Sequence, residues 1–154
     1  MPTESRLRSR NYKDVTASPR KTEPLKVILD SNALFVPLEF KMDIFEELRR
    51  LLNRNIEYIL LSVVKHELEV LAVGDEPKTR RQASFALRLA EKCRLVMVED
   101  RKEQTDDAIV RIAKNWNAPV FTNDRVLKRR LRDISVPVIY LRQKSRLDIY
   151  GLIS

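Results

Sequence analysis

From residue 25 onward, short apolar runs alternate with stretches in which apolar positions recur every three or four residues. Leu25–Leu29, Tyr58–Leu61, Leu95–Val98, Val120–Phe121 and Val136–Leu141 are rich in β-branched or aromatic residues and have the length of buried parallel strands. The stretches between them carry helical periodicity: Ile44, Leu48, Leu51 and Leu52; Val63, Val64, Leu68 and Leu71; Phe85, Leu87, Leu89 and Ala90; Ala108, Ile109, Ile112, Ala113 and Trp116; Val126, Leu127 and Leu131. Strand then helix, repeated over short links, predicts an α/β fold: a three-layer α/β/α sandwich with a parallel sheet of about five strands. Trp116 is expected in the core, and Cys93, close to a helix end, as a packed small residue rather than a reactive thiol.

Residues 1–24 break this pattern. They are rich in Arg, Ser, Thr and Pro, show no apolar period and lack the surface to offset the entropy of ordering, which predicts a basic disordered arm ahead of a domain at 25–154. Glu4, Asp14, Pro19 and Pro24 argue against reading the arm as an amphipathic targeting helix. The chain has 154 residues, the size of one domain, and a net charge of +8. Residues 1–26 hold seven Lys and Arg against three acids, a net of +4. A polyanionic partner is therefore expected, since cations that neutralise phosphates gain affinity by releasing counterions. No apolar run reaches the roughly 18–20 residues of a membrane span, so the expectation is a soluble cytoplasmic protein with no membrane partner.

Several chemistries are excluded. Cys93 and His66 are the only cysteine and histidine, which rules out an internal disulfide, a Cys/His zinc cage and a Cys–His nucleophilic pair. His66-Glu67-Leu68-Glu69-Val70 lacks the second histidine of a zinc protease helix. Gly74 and Gly151 are the only glycines, too few and too far apart for a phosphate-cradling loop. Catalysis, if present, falls to carboxylates.

In an open parallel α/β sheet, ligands bind beyond the carboxyl ends of the strands. Four acids stand at such places. Asp30 ends the first apolar run, Asp124 follows Val120-Phe121-Thr122-Asn123, Glu67 lies early in the helix after the second strand, and Asp106 follows Thr105 at a helix start. Singly, each reads as a turn or capping residue. Together they describe an acidic crevice, and Glu67, among Val63, Val64, Leu68 and Leu71, is expected on a core-facing helix. Converging carboxylates repel one another, and a hard divalent cation such as Mg²⁺ or Mn²⁺ relieves this while lowering the pKa of a bound water. A basic surface beside such a crevice points to phosphodiester hydrolysis.

These residues resemble the PIN-domain ribonucleases. The likeness rests on Leu29-Asp30-Ser31-Asn32, Val64…Glu67-Leu68, Asp106-Asp107-Ala108-Ile109 and Thr122-Asn123-Asp124-x-x-Leu127, in order over residues 25–141. The resemblance implies a sheet of order 3-2-1-4-5 and Mg²⁺- or Mn²⁺-dependent endonucleolytic cleavage of single-stranded RNA. It assigns catalytic roles to Asp30, Glu67, Asp106 and Asp124, with Asp30, Asp106 and Asp124 holding metal and Asn32 and Thr122 in support. The tail Val136-Pro137-Val138-Ile139-Tyr140-Leu141-Arg142 resembles the archaeal branch related to small-subunit ribosomal-RNA processing nucleases. The expected partner is then pre-rRNA or a pre-ribosomal particle. VapBC toxins share the four acids, so a toxin with a small antitoxin is one alternative and a non-catalytic assembly factor another; a homodimer is a further expectation.

Asp107 sits about 100° round the helix from Asp106 and is a secondary candidate, while Glu69 is expected to face solvent. Two cationic clusters remain, Lys78, Arg80 and Arg81, and Lys128, Arg129, Arg130 and Arg132. The second begins four residues after Asp124. Lys128, Arg129 and Arg130, with Arg6, Arg8, Arg10 and Lys13 of the arm, are therefore the expected RNA-backbone contacts.

Overall fold

The computed structural model describes residues 23–153, so Arg6, Arg8, Arg10, Lys13 and nearly all of the arm lie outside the described residues. β1 (Leu25–Leu29) is a central strand, and Val27, Ile28 and Leu29 are fully buried because both faces of the sheet are covered. It pairs in parallel with β2 (Ile56–Leu61) on one side and β4 (Val120–Phe121) on the other. β3 (Arg94–Val96) lies outside β2, and β5 (Val138–Arg142) outside β4. These five strands run parallel in the expected order 3-2-1-4-5. A sixth strand, β6 (Arg146–Tyr150), extends the sheet antiparallel to β5, so the sheet is mixed where the sequence reading expected it parallel throughout.

The strand boundaries shift for local reasons. Val98 leaves β3 because its N–H is taken by Ser62 Oγ at 2.8 Å. β5 begins only at Val138 because Pro137 has no N–H to give the ladder, although its carbonyl accepts from Val120 N. β6 arises from a turn closed by Ser145 N–H to the Arg142 carbonyl, with Gln143 and Lys144 both at positive φ. Such mirror-image turns match the strand twist of hairpins.

Among the described residues, six α-helices cover the sheet. A 3-10 turn (Ser31–Phe35) leads into α1 (Val36–Phe40), followed by α2 (Ile44–Leu52), α3 (Ser62–Ala72) and α4 (Pro77–Leu89); α5 (Thr105–Trp116) and α6 (Arg125–Asp133) complete the set. Caps mark their starts. Asp43 accepts from Phe45 N and Glu46 N, and Glu76 accepts from Thr79 N ahead of Pro77 at the first helical position. α5 starts instead after Gln104, with no side-chain cap. The strand order reverses direction between β1 and β4, and with the usual right-handed crossovers this sets α1–α4 on one face and α5 and α6 on the other, with a switch point between those two strands. The core of Ile28, Leu29, Ile59, Leu61, Ile109, Phe121, Leu127 and Leu131 fills both interlayer spaces. Trp116 does not join it: at the last position of α5 it is 37% exposed, with Lys26 Nζ 5.9 Å from its ring centroid. Cys93 packs against the core as expected, and burial pushes its thiol up to about 12.

Candidate active site

Among the described residues, only Asp30 and Thr122 are polar side chains in the buried class, and they meet at the switch point. Asp30 follows β1 and caps the 3-10 turn, its Oδ1 accepting from Ser31 N at 2.8 Å. Its Oδ2 accepts from Thr122 Oγ1 at 2.7 Å and from Asn32 Nδ2 at 3.1 Å. Thr122 follows β4 and in turn accepts from Asp124 N at 3.1 Å. One hydroxyl thus joins the ends of β1 and β4 to the start of α6.

Asn123, which the sequence pattern does not single out, extends this network. Its N–H donates to Asn32 Oδ1 at 2.9 Å and its Oδ1 accepts from Leu141 N at 2.7 Å, tying the site to β5. A polar triplet directly after an apolar run is the available signal for it. Asp124 caps α6, with Oδ1 accepting from Leu127 N at 2.8 Å.

The other acids approach from the helices. Burial pushes the Asp30 carboxyl above its ordinary value; bonds from Thr122 and Ser31 oppose the rise, and the charges of Asp106 and Glu67 add to it. Asp106, in the first turn of α5, is also raised, first by burial, then by Asp124, with Arg130 pulling the other way. The charges of Glu67 and Asp106 thus act on Asp30, and that of Asp124 on Asp106, so each acid lies within electrostatic reach of another. Among the described residues, none of these four acids forms an ion pair, whereas the exposed Asp107 pairs with Arg130 at 2.9 Å. Asp107 is thus turned to the α6 side.

Glu67 departs from expectation. It is exposed, because the buried seam of α3 is Val64 and Leu68 and Glu67 lies one step off it. It borders a groove of about 510 Å³ with Lys65, His66, Met97, Arg101 and Thr105. Glu69 is exposed as expected and lines the same groove.

Among the described residues, no three acidic, histidine or cysteine side chains are gathered closely enough to cage an ion alone. The donor set nonetheless suits a hard cation that retains its waters, needing one or two carboxylates with a phosphate completing the shell. Burial and the neighbouring carboxylates disfavour the ionised forms of Asp30 and Asp106, with Arg130 offsetting this only in part at Asp106, and such a cation would relieve it. Of the expected RNA contacts on α6, Arg129 is exposed, Lys128 lies over the Tyr140 ring at 4.9 Å, and Arg130 is committed to Asp107.

Comparison with known proteins matches this chain to a family. The sequence model of the PIN like domain covers residues 27–144. Ribonuclease VapC4 of Methanocaldococcus jannaschii is 33% identical over 129 residues, 83% of this chain and 98% of that protein. Ribonuclease VapC9 of Archaeoglobus fulgidus is 30% identical over 123 residues, 79% of this chain and 87% of that protein. The solved structure of the PIN domain endonuclease Utp24 superposes with a TM-score of 0.71 at 28% identity, covering 84% of this chain and 94% of that one.

Proposed function

The chain belongs to the PIN-like domain family, and from that membership and the crevice geometry we propose that it is a divalent-metal-dependent endoribonuclease acting on single-stranded RNA. The observation that carries the proposal is the buried Asp30–Thr122 pair at the switch point, facing acids that form no ion pair among the described residues. A non-catalytic assembly factor would have every reason to quench such charges.

Asp30, Asp106 and Asp124 would hold Mg²⁺ or Mn²⁺. When bound, the ion would lower the pKa of a water and offset charge on the phosphoryl oxygens. The chain's own residues prepare this. Thr122 and Asn32 fix the Asp30 carboxylate by donating to Oδ2, so one orientation is set before substrate arrives. The Asp124 cap and the Thr122 bond to its N–H anchor that acid to α6. Glu67, exposed at the groove, is open to substrate and water and would serve as the general base.

The setting we favour is ribosomal-RNA processing, supported by the resemblance of segment 136–142 to the ribosomal-RNA processing branch of the family and by the basic arm. A toxin held by a small antitoxin is the second reading, supported by the two relatives that bear the VapC name. Among the described residues, no helix is long and apolar enough to cross a membrane. Labelled single-stranded RNA incubated with Mn²⁺ or Mg²⁺ should be cut internally by the wild type and spared by Asp30→Asn and Asp124→Asn. Equal cleavage by all three would remove the proposed site. Growth arrest on expression alone favours the toxin, whereas precursor ribosomal RNA crosslinked to the protein favours processing.

A further inference from the structure

The chain's charge is segregated. Residues 121–154 carry eight Lys and Arg against three Asp, a net of +5, whereas residues 27–120 hold fifteen cations against sixteen acids. The described excess therefore sits almost wholly on α6 and the β5–β6 hairpin. Strand register puts Tyr140, Arg142, Arg146, Asp148 and Tyr150 on one face of that hairpin, since Tyr140 pairs Asp148, Arg142 pairs Arg146 and Val138 pairs Tyr150. α6 flanks this face. Lys128 Nζ lies 4.9 Å from the Tyr140 ring centroid, and the Arg132 guanidinium, one turn on, lies 3.9 Å from that of Tyr150.

Not every cation here is available. Arg130 is spent on Asp107 and Arg142 on Asp148 at 2.8 Å. Arg125, Arg129, Lys144 and Arg146 are exposed, and Lys128 and Arg132 rest on rings that hold each charge in place without neutralising it. A cation already ordered by a ring loses less freedom on meeting a phosphate than a free lysine does.

We propose that these six cations form a track for the RNA backbone, leading from Asp124 at the start of α6 over the β5–β6 hairpin. The track lengthens the path from the crevice by about 12 Å, the rise of α6 from Asp124 to Arg132. It has a tyrosine beneath each of two turns, on which a base could stack in place of the cation. The proposal rests on the reading of the crevice as an RNA-cleaving site, but it concerns binding and is tested without cleavage.

The test uses the full chain, a labelled unstructured RNA oligonucleotide and EDTA, with fluorescence anisotropy read across a KCl series. Lys128→Gln/Arg132→Gln and Lys144→Gln/Arg146→Gln each remove two track cations; the second pair holds no ring contact, which guards against misfolding of the first. Lys78→Gln/Arg81→Gln on α4 removes the same charge from another face. Each track pair should lower the salt slope by about 1.4 and weaken binding about 25-fold at 0.1 M salt, as expected for two phosphate contacts on a single strand. The α4 pair should bind as wild type. Track variants that bind RNA like wild type overturn the proposal and leave the surface to an acidic polypeptide; an equal loss in the α4 pair overturns it in favour of diffuse charge. If track variants lose binding but the wild type cuts no RNA in Mn²⁺, the track stands and the enzyme reading falls. If Asp30→Asn abolishes cleavage while track variants bind normally, the reverse holds.

Discussion

Thr122→Val preserves the volume of a fully buried side chain and deletes one hydroxyl. That hydroxyl donates to Asp30 Oδ2 at 2.7 Å and accepts from Asp124 N at 3.1 Å. The first bond serves a carboxylate that is 5% exposed, a class worth about 1.5–3 kcal/mol. The second serves an N–H at an exposed residue, where water substitutes and the loss is about 0.5–1 kcal/mol. Together they predict a destabilisation of about 3 kcal/mol, and for a chain of this size a fall of about 9 °C in melting temperature. Thr122→Ser keeps the hydroxyl and loses one methyl, for about 1 kcal/mol and a fall of about 3 °C.

Acidity separates this account from simple packing loss. Because Asp30 is held above its ordinary 3.8, the native chain keeps a proton that the unfolded chain has released, and the site's contribution to stability falls as pH rises through that window. The Thr122 bond limits the loss by favouring the ionised carboxylate. Without it the folded-state value rises further and the window widens. The gap between wild type and Thr122→Val should therefore be small at about pH 4 and fully open at about pH 7.5, read by circular-dichroism melts in EDTA. The reasoning is refuted if the valine and serine variants melt alike at the higher pH, or if the gap is the same at both.

Asp106→Asn removes a carboxylate that burial and Asp124 disfavour and Arg130 only partly offsets, so the metal-free protein should melt above the wild type. RNA cleavage by the same variant should fall at least about 100-fold, the scale on which preorganised charge acts in a site. Asp107→Ala breaks only an exposed pair with Arg130, and should cost under about 1 kcal/mol in denaturant titration. Its cleavage rate should stay close to wild type, and a loss as large as that of Asp106→Asn would put Asp107 in the crevice. Mn²⁺ at about 100 times its dissociation constant should stabilise the wild type by about 2.7 kcal/mol in calorimetry. Asp30→Asn should lose most of that gain, and an equal gain in both would place the ion elsewhere.

β1, β2, β4 and β5 are legible because their buried stretches read as continuous apolar runs, from Val27–Leu29 to Val138–Ile139, whereas β3 is an edge strand with Arg94 and Leu95 exposed and shows only as a short apolar run. β6 is not legible, for two reasons. Only Leu147 is fully buried in it, and its turn places Gln143 and Lys144 at positive φ, where Asn-Gly or Asp-Gly would have signalled a hairpin. Trp116 misleads in the other direction. It continues the periodicity of α5 one turn beyond the core, where its ring meets Lys26 instead of the sheet.

The site divides along the same line between what lies beside a residue in the chain and what lies across the fold. Asp30 and Asp124 are visible as the first acids after apolar runs, and their capping bonds to Ser31 N and Leu127 N are local. The bond from Thr122 to Asp30 spans 92 residues and exists only because β1 and β4 are neighbours, which no local pattern records. Glu67 is exposed rather than buried because α3 turns its Val64–Leu68 seam to the core, a matter of helix phase that the surrounding apolar residues conceal. What topology adds is conflict. It brings Asp30 into the interior and Asp106 towards it, raising both above their ordinary values; among the described residues neither forms an ion pair, Arg130 offsets the rise at Asp106 only in part, and a fold selected for stability alone would have paired them. Retaining that conflict at the switch point of the sheet makes sense if relief comes from a bound cation, so the instability of the metal-free crevice and its proposed chemistry have one electrostatic cause.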